Sequence, residues 1–420
     1  MWDDLSFIIK RLSERLWIKP LIVCALSIGA VSLADIMDMS DLGRYLPAIA
    51  MESTETLLKI MASSMLMMAT FAVASMVAAY ASASISATPR AFPLILGDGV
   101  SQNALSAFIG AFIYSVVALV ALMNGHYSGK AGQFFLFSLT LVVLAIVIIM
   151  FIRWVDNIAR LGRVGNTIDK VEEAAAEAIR KRQSAPRLGG VAAFSPPDGS
   201  RAVFGDSIGY LQRVDAAELQ ERAEESELKI LVACLPGTFC TPNRPVAWVI
   251  PKASGSVSDE DADEIAATFV IGDSRVFDQD PRFGLVVLSE IASRALSPAV
   301  NDPGTAIDVT HTLVRLFLLW NECGKAGDAS TVQFDRVAAP ELSLADTFDD
   351  AFTGIARDGA GMVEVVVWLL KALESLAAAG DATMRDNSLR HARLALVRAE
   401  NVLKVSEDLR AAREAAEFAI

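Results

Sequence analysis

The strongest constraint on this chain is a set of long apolar runs. Residues 57–80, 104–123 and 134–154 each approach or exceed the roughly 20 residues that a helix needs to cross a bilayer. Residues 16–34 form a fourth such run. Overall, 53% of residues are hydrophobic and mean hydropathy is +0.42, so a membrane protein is expected before any finer reading. In hydrocarbon every backbone polar group must be satisfied within its own segment, so these runs read as helices.

The runs differ in texture. Residues 57–80 are rich in Ala, Ser and Met, and small residues let helices approach closely, so this span is expected inside a bundle. Ser63, Ser64, Thr70 and Ser75 are its candidate pore-lining groups, although the same residues serve plain helix packing. Residues 104–123 carry Ala107, Gly110 and Ala111 for close packing. The stretch LVVLAIVIIMFI in 134–154 is bulky and suits lipid contact. Charges are nearly absent within the spans, and Lys59, near an end, can snorkel. No intramembrane carboxylate marks an ion relay.

Residues 1–15 mix apolar and basic positions and read as an interfacial amphipathic helix. More apolar spans follow, so a retained anchor is expected rather than a cleaved signal peptide. Lys10, Arg11, Arg15 and Lys19 precede the first span. Arg153, Arg160, Arg163 and Lys170 follow the last. Basic residues mark the cytoplasmic side, so four spans with both termini in the cytoplasm are expected. A polar helix over 155–186 then serves as a linker.

Charge is segregated. The first 153 residues hold nine basic and nine acidic residues; the remainder holds 28 and 41 and carries the whole net charge of −13. That balance argues against nucleic acid as a partner. Beyond Pro186, short β-like runs at 191–194, 202–204, 210–214, 229–234 and 246–250 predict a small β-barrel over 187–252. Residues 253–420 read as mainly helical, so the expected fold class is a mainly α membrane protein with a cytoplasmic α+β domain.

The most patterned polar stretch is 275–311. Asp280-Pro281 and Asp302-Pro303 each open an apolar helical period, with aspartate as N-cap and proline at the first helical position. Helix N-termini attract anions. Arg275, Gln279, Asp280, Arg294, Asn301, Asp302 and Thr305 are therefore the candidate ligand-binding residues, for a small ion or anionic ligand. The run QDPRFGLVVLSEIASRALSPAVNDPGTAI resembles the hallmark of a bacterial family of predicted membrane proteins, domain of unknown function 2254. TPRAFPLILGDGVSQNALSAFIGAFIYSV is similar to that family's intracellular loop and third span. The resemblance implies architecture and a place in a bacterial inner membrane, and no chemistry.

No phosphate-binding glycine loop, dinucleotide fingerprint or zinc-protease motif is present, and the scattered Cys and His show no metal spacing, so no cofactor or metal is expected. Gly205-Asp206-Ser207-Ile208-Gly209 matches a nucleophile-elbow spacing, but a strand is expected after it where the elbow requires a helix. Two functions fit: a homo-oligomeric channel-like or transport-related protein gated by its soluble part, or a membrane-anchored signalling or scaffold protein whose soluble part binds a ligand or partner.

Overall fold

A computed structural model describes residues 21, 22, 25, 28, 29, 47, 49–86, 88–96, 99–127, 129–160, 163–251, 257–326 and 332–420. The chain divides into two compact units, Met1–Asn166 and Thr167–Ile420.

The first unit contains three helices long and apolar enough to cross a membrane among the described residues. These are α1 (Met51–Ser86), α3 (Gly99–Met123) and α4 (Lys130–Ile158); the short α2 (Phe92–Leu96) lies between α1 and α3. Of the four spans expected, the one over 16–34 lies outside the described residues, apart from helical positions at Leu21, Ile22, Ala25, Ile28 and Gly29. The interfacial helix over 1–15 lies outside them too. The described structure thus holds three spans, and a four-span count is not established by it.

In α1 the buried positions Leu58, Met61, Met65, Ala69, Ala72, Met76 and Tyr80 recur every three or four residues. Such a stripe is one face of a helix. Ala72 and Ala104 are fully buried, and their small side chains let α1 approach α3. The most enclosed span is α3, half buried, whereas α1 is only 28% buried. The expectation of an interior second span therefore moves to its neighbour. Polar clasps join α3 to α4: Tyr114 Oη lies 2.8 Å from Thr140 Oγ1, and Asn157 Nδ2 donates to Ser101 Oγ at 3.1 Å. On α4, Val142, Ile146, Ile149 and Ile152 stay exposed, as bulky lipid-facing side chains should.

The second unit opens with α5 (Val164–Ser184) and continues as β1 (Gly190–Ala192), β2 (Arg201–Val203), β3 (Gly209–Val214), α6 (Ala216–Glu225), β4 (Leu228–Val232), β5 (Phe239–Cys240), β6 (Ala247–Pro251), α7 (Asp259–Ala267) and β7 (Phe269–Gly272). The rest is α8 (Pro281–Ala295), α9 (Pro303–Ala326), β8 (Phe334–Ala339), α10 (Leu344–Asp358), α11 (Val363–Ala379), α12 (Ala382–Val402) and α13 (Ser406–Ala415).

The strands do not close a barrel. They form a five-stranded sheet, β1-β8-β4-β6-β2, and a three-stranded sheet, β5-β3-β7. The barrel expected over 187–252 is thereby corrected. The physical reason is long-range pairing: β8 arrives after α8 and α9 and inserts in parallel between β1 and β4. Parallel neighbours require a long crossover, which local alternation cannot reveal. Leu211, Leu219, Ile230, Val249, Ile265, Phe269 and Val337 share one apolar core among the sheets, α6 and α7. The segment Gly205–Gly209 leads into β3 and not into a helix, so no nucleophile elbow forms.

The C-terminal helices pack around an aromatic core. Phe317 of α9 lies 4.4 Å from Phe348 and 5.4 Å from Phe352 of α10, centroid to centroid. His391 of α12 abuts both rings, is 1% exposed, and has Nε2 3.0 Å from Asp349 Oδ1. Burial, aided by Arg390 and Arg398 and opposed by Asp349, pushes its imidazole down to about 4. The fold therefore holds His391 neutral, while the unfolded chain binds a proton near the ordinary value of 6.5. Its contribution is complete above the unfolded value and is lost as pH falls from 6.5 toward 4. We expect acid destabilisation in this window that His391→Gln flattens, measured by thermal unfolding of the full chain across pH.

Candidate functional site

The loop from β7 into α8 builds a buried polar cluster around one carboxylate. Asp280 is 1% exposed. It caps α8 by accepting from Phe283 N–H at 3.2 Å, and it accepts from Arg275 Nε and Nη2 at 2.7 and 3.0 Å. A two-pronged guanidinium–carboxylate pair of this kind fixes geometry as well as charge. Arg275 also lies over the Phe283 ring, 5.2 Å from its centroid. Pro281 occupies the first helical position, where a missing N–H costs nothing.

Gln279 completes the cluster from both ends. Its side-chain oxygen accepts from Val214 N–H at the end of β3, at 3.1 Å. Its carbonyl accepts from Arg182 Nη2 of α5 at 3.0 Å. Arg182 is 5% exposed, and its Nη1 has no hydrogen-bond partner among the described residues. Burial lowers this guanidinium to about 10, against the pull of the Asp280 carboxylate. Burial likewise raises the Asp280 carboxyl, opposed by Arg275 and by the Phe283 N–H.

Two glycines make this packing feasible. Gly237 sits at φ +95°, and a Cβ there would lie 2.3 Å from Asp280 Oδ2. A Cβ on Gly284 of α8 would lie 2.4 Å from the Cβ of Ala175, so the glycine lets α5 and α8 touch backbone to backbone. That is the role of the glycine in the Phe283-Gly284 pair of the patterned stretch.

The remaining candidates lie elsewhere. With 15 residues, α8 is about 22 Å long, and Asp302 follows its far end. There Asn301 adopts φ +50°, a left-handed conformation that asparagine tolerates. Asp302 accepts from Thr305 N–H at 3.1 Å and from Thr305 Oγ1 at 2.6 Å, and it is exposed. Arg294, half-buried in the last turn of α8, complements the helix C-terminus. The structure thus gathers Arg275, Gln279 and Asp280 at one end of α8, and Arg294, Asn301, Asp302 and Thr305 at the other.

Arg182 and Gly237 belong to the first cluster and were not singled out by sequence. Arg182 stands in a polar, charge-rich helix where nothing marks it as buried. Gly237 sits in a Pro-Gly turn like many others. On α1, Ser63 and Thr70 are exposed and bond back to their own helix, to Lys59 O at 3.0 Å and Leu66 O at 2.9 Å. Ser64 and Ser75 are half-buried and lie on another flank. Among the described residues no group of three or more His, Cys, Asp or Glu could hold a metal.

A family profile described as "Predicted membrane protein (DUF2254)" matches residues 13–375, most of the chain. The chain belongs to the DUF2254 family. Uncharacterized proteins of Mycobacterium bovis and Mycobacterium tuberculosis are 36% identical to it over 121 residues, 28% of this chain. The match covers only 23% of each relative. No solved structure matches the chain. Within DUF2254 the profile takes in the spans, both sheets and α8 to α10, and so includes the Asp280 cluster.

In this DUF2254 protein the two caps are expected to differ sharply. Asp280→Ala strands the Arg275 and Arg182 charges in the interior and costs about 3–5 kcal/mol. Asp302→Ala removes an exposed cap and costs about 1 kcal/mol. Gly284→Ala forces α5 from α8 at about 1–3 kcal/mol. Chemical denaturation of each full-length variant, with hydrogen exchange of the α8 amides, checks this ranking.

Proposed function

We propose that this protein is a homo-oligomeric, channel-like membrane protein in which α1 packs copy against copy, and that its soluble α/β unit gates it. The observation that carries the reading is an uncovered heptad stripe on α1. Ile60, Ser63, Met67, Thr70, Ala74, Val77 and Ala81 recur every three or four residues, and all are exposed within the chain. Ser63, Thr70, Ala74 and Ala81 of this stripe are small or hydroxylated, and such side chains, interleaved with Ile60, Met67 and Val77, suit close helix association in lipid. Hydroxyls that already bond to their own helix carbonyls carry no unsatisfied donor into such an interface. Ser63 and Thr70 would face the shared axis, with Ser64 and Ser75 flanking it.

The bacterial inner membrane is the proposed location, with both termini and the α/β unit cytoplasmic. Arg153, Arg160 and Arg163 near the end of α4 support that orientation. Together with the run over 16–34 the spans would number four, an even count. The proposed domains are membrane 16–154, linker 155–186 and soluble 187–420.

A second reading is a membrane-anchored signalling or scaffold protein. The buried, unpartnered Nη1 of Arg182 beside the N-terminus of α8 favours it, since that N–H suits an anionic ligand. Arg275, Gln279 and Asp280 would frame such a site. Arg294, Asn301, Asp302 and Thr305 are a separate, surface-level candidate.

The test starts from cysteine cross-linking in membranes. Thr70→Cys should give a covalent dimer, and Ala72→Cys, on the packed face, should not. A monomer in membranes and in detergent overturns the proposal. If the oligomer stands, planar-bilayer recordings follow. Conductance altered by Thr70→Trp supports the channel reading, and silence across salts and voltages leaves the scaffold reading.

A further inference from the structure

We propose that Cys234 and Cys240 form a redox-active dithiol that closes reversibly into an internal disulfide and thereby fixes the loop packed on Asp280. The proposal concerns the soluble unit alone and does not depend on the channel reading.

The two cysteines bracket a loop of five residues, 235–239. Cys234 follows β4, where its N–H donates to Val246 O at 3.3 Å, and Cys240 lies in β5, paired with Gly209 of β3. Both are free, 2% and 1% exposed, and belong to one core cluster with Leu211 and Val246. Each thiol is near enough to interact with the other. Their present hydrogen bonds are weak ones to backbone, from Cys234 Sγ to Pro245 O at 3.4 Å and from Cys240 Sγ to Thr238 O at 3.8 Å. Little is lost if both are given up for an S–S bond.

Pro242, Asn243 and Arg244 form an exposed turn, and the positive charge of Arg244 acts on Cys234. A guanidinium beside one thiol of a pair favours its thiolate, the nucleophile in disulfide exchange. Burial outweighs that charge: it raises the Cys234 thiol above its ordinary value and pushes Cys240 up to about 11, so the resting state is the dithiol. Brief oxidant exposure leaves such a pair reduced, and sustained disulfide stress converts it. In a reducing compartment, disulfides that do form are typically transient and redox-sensing.

The loop between the thiols is the one that carries Gly237. Gly237 N–H donates to Leu211 O at 2.8 Å, and Leu211 N–H donates to Thr238 O at 2.9 Å. The absent Cβ of Gly237 admits the Asp280 carboxylate. Tying Cys234 to Cys240 closes the base of this loop, so the redox state of the sulfurs bears on the packing of the buried cap.

The oxidant is a low-molecular-weight disulfide such as glutathione disulfide. The Cys234 thiolate attacks one of its sulfurs, forming a mixed disulfide and releasing a glutathione thiolate. The Cys240 thiolate then attacks the Cys234 sulfur and displaces the second glutathione thiolate. Two electrons pass from the protein dithiol to the glutathione disulfide, and the two thiol protons end on two glutathione thiols.

The test uses the full chain in detergent, with Cys24→Ser and Cys323→Ser, equilibrated across glutathione disulfide to glutathione ratios. Peptide mass spectrometry should find a Cys234–Cys240 disulfide with no lasting adduct while thermal unfolding shows the chain still folded. Cys240→Ser should stop at a glutathione adduct on Cys234, and Arg244→Gln should slow oxidation several-fold. A stable wild-type adduct, unreacted thiols at excess oxidant, or a disulfide formed only after unfolding would overturn the proposal.

Discussion

A carboxylate removed from water obliges the rest of the second unit to answer it. Asp280 is almost wholly enclosed, and a charge in that position holds only if it is paired and hydrogen-bonded. Arg275 and the first turn of α8 do both. Gln279, next to it, spends its carbonyl on Arg182 and its side chain on the end of β3. One short loop thus ties α5, β3 and α8 together, and Gly237 admits a further loop to the same point. The cost of burying the charge is offset by the order it imposes on elements distant in sequence.

The membrane unit answers to a different constraint. There the backbone satisfies itself within helices, and side chains decide only which faces meet. Large aromatics gather around Trp154, with Phe71, Phe108 and Phe151 at 6.0 to 6.3 Å. Small residues elsewhere permit close approach. The result leaves bulky aliphatics on α4 outward, while the exposed side of α1 mixes Ser63, Thr70 and alanines with Ile60, Met67 and Val77.

The second unit combines a helical core with a sheet core. Its helical core is held by stacked phenylalanines and a neutral buried histidine. Its sheets are held by a single apolar core in which two sulfurs stand out chemically. The two sulfurs flank the loop whose Gly237 meets Asp280.

Local chemistry was legible in the chain itself. Apolar length located α1, α3 and α4, because a bilayer admits little else. Aspartate-proline pairs fixed the starts of α8 and α9, because capping is decided within one turn of helix. The patterned stretch also carried the family membership. Tertiary structure decided what depends on distant partners. Alternation showed strands but not that β8 would insert between β1 and β4, since pairing across more than a hundred residues leaves no local trace. Two Asp-Pro motifs looked equivalent, yet one is buried and paired while the other faces solvent, because burial is set by what packs on top. The same reason hid Arg182 and Gly237, whose importance comes only from what the fold brings within reach of them.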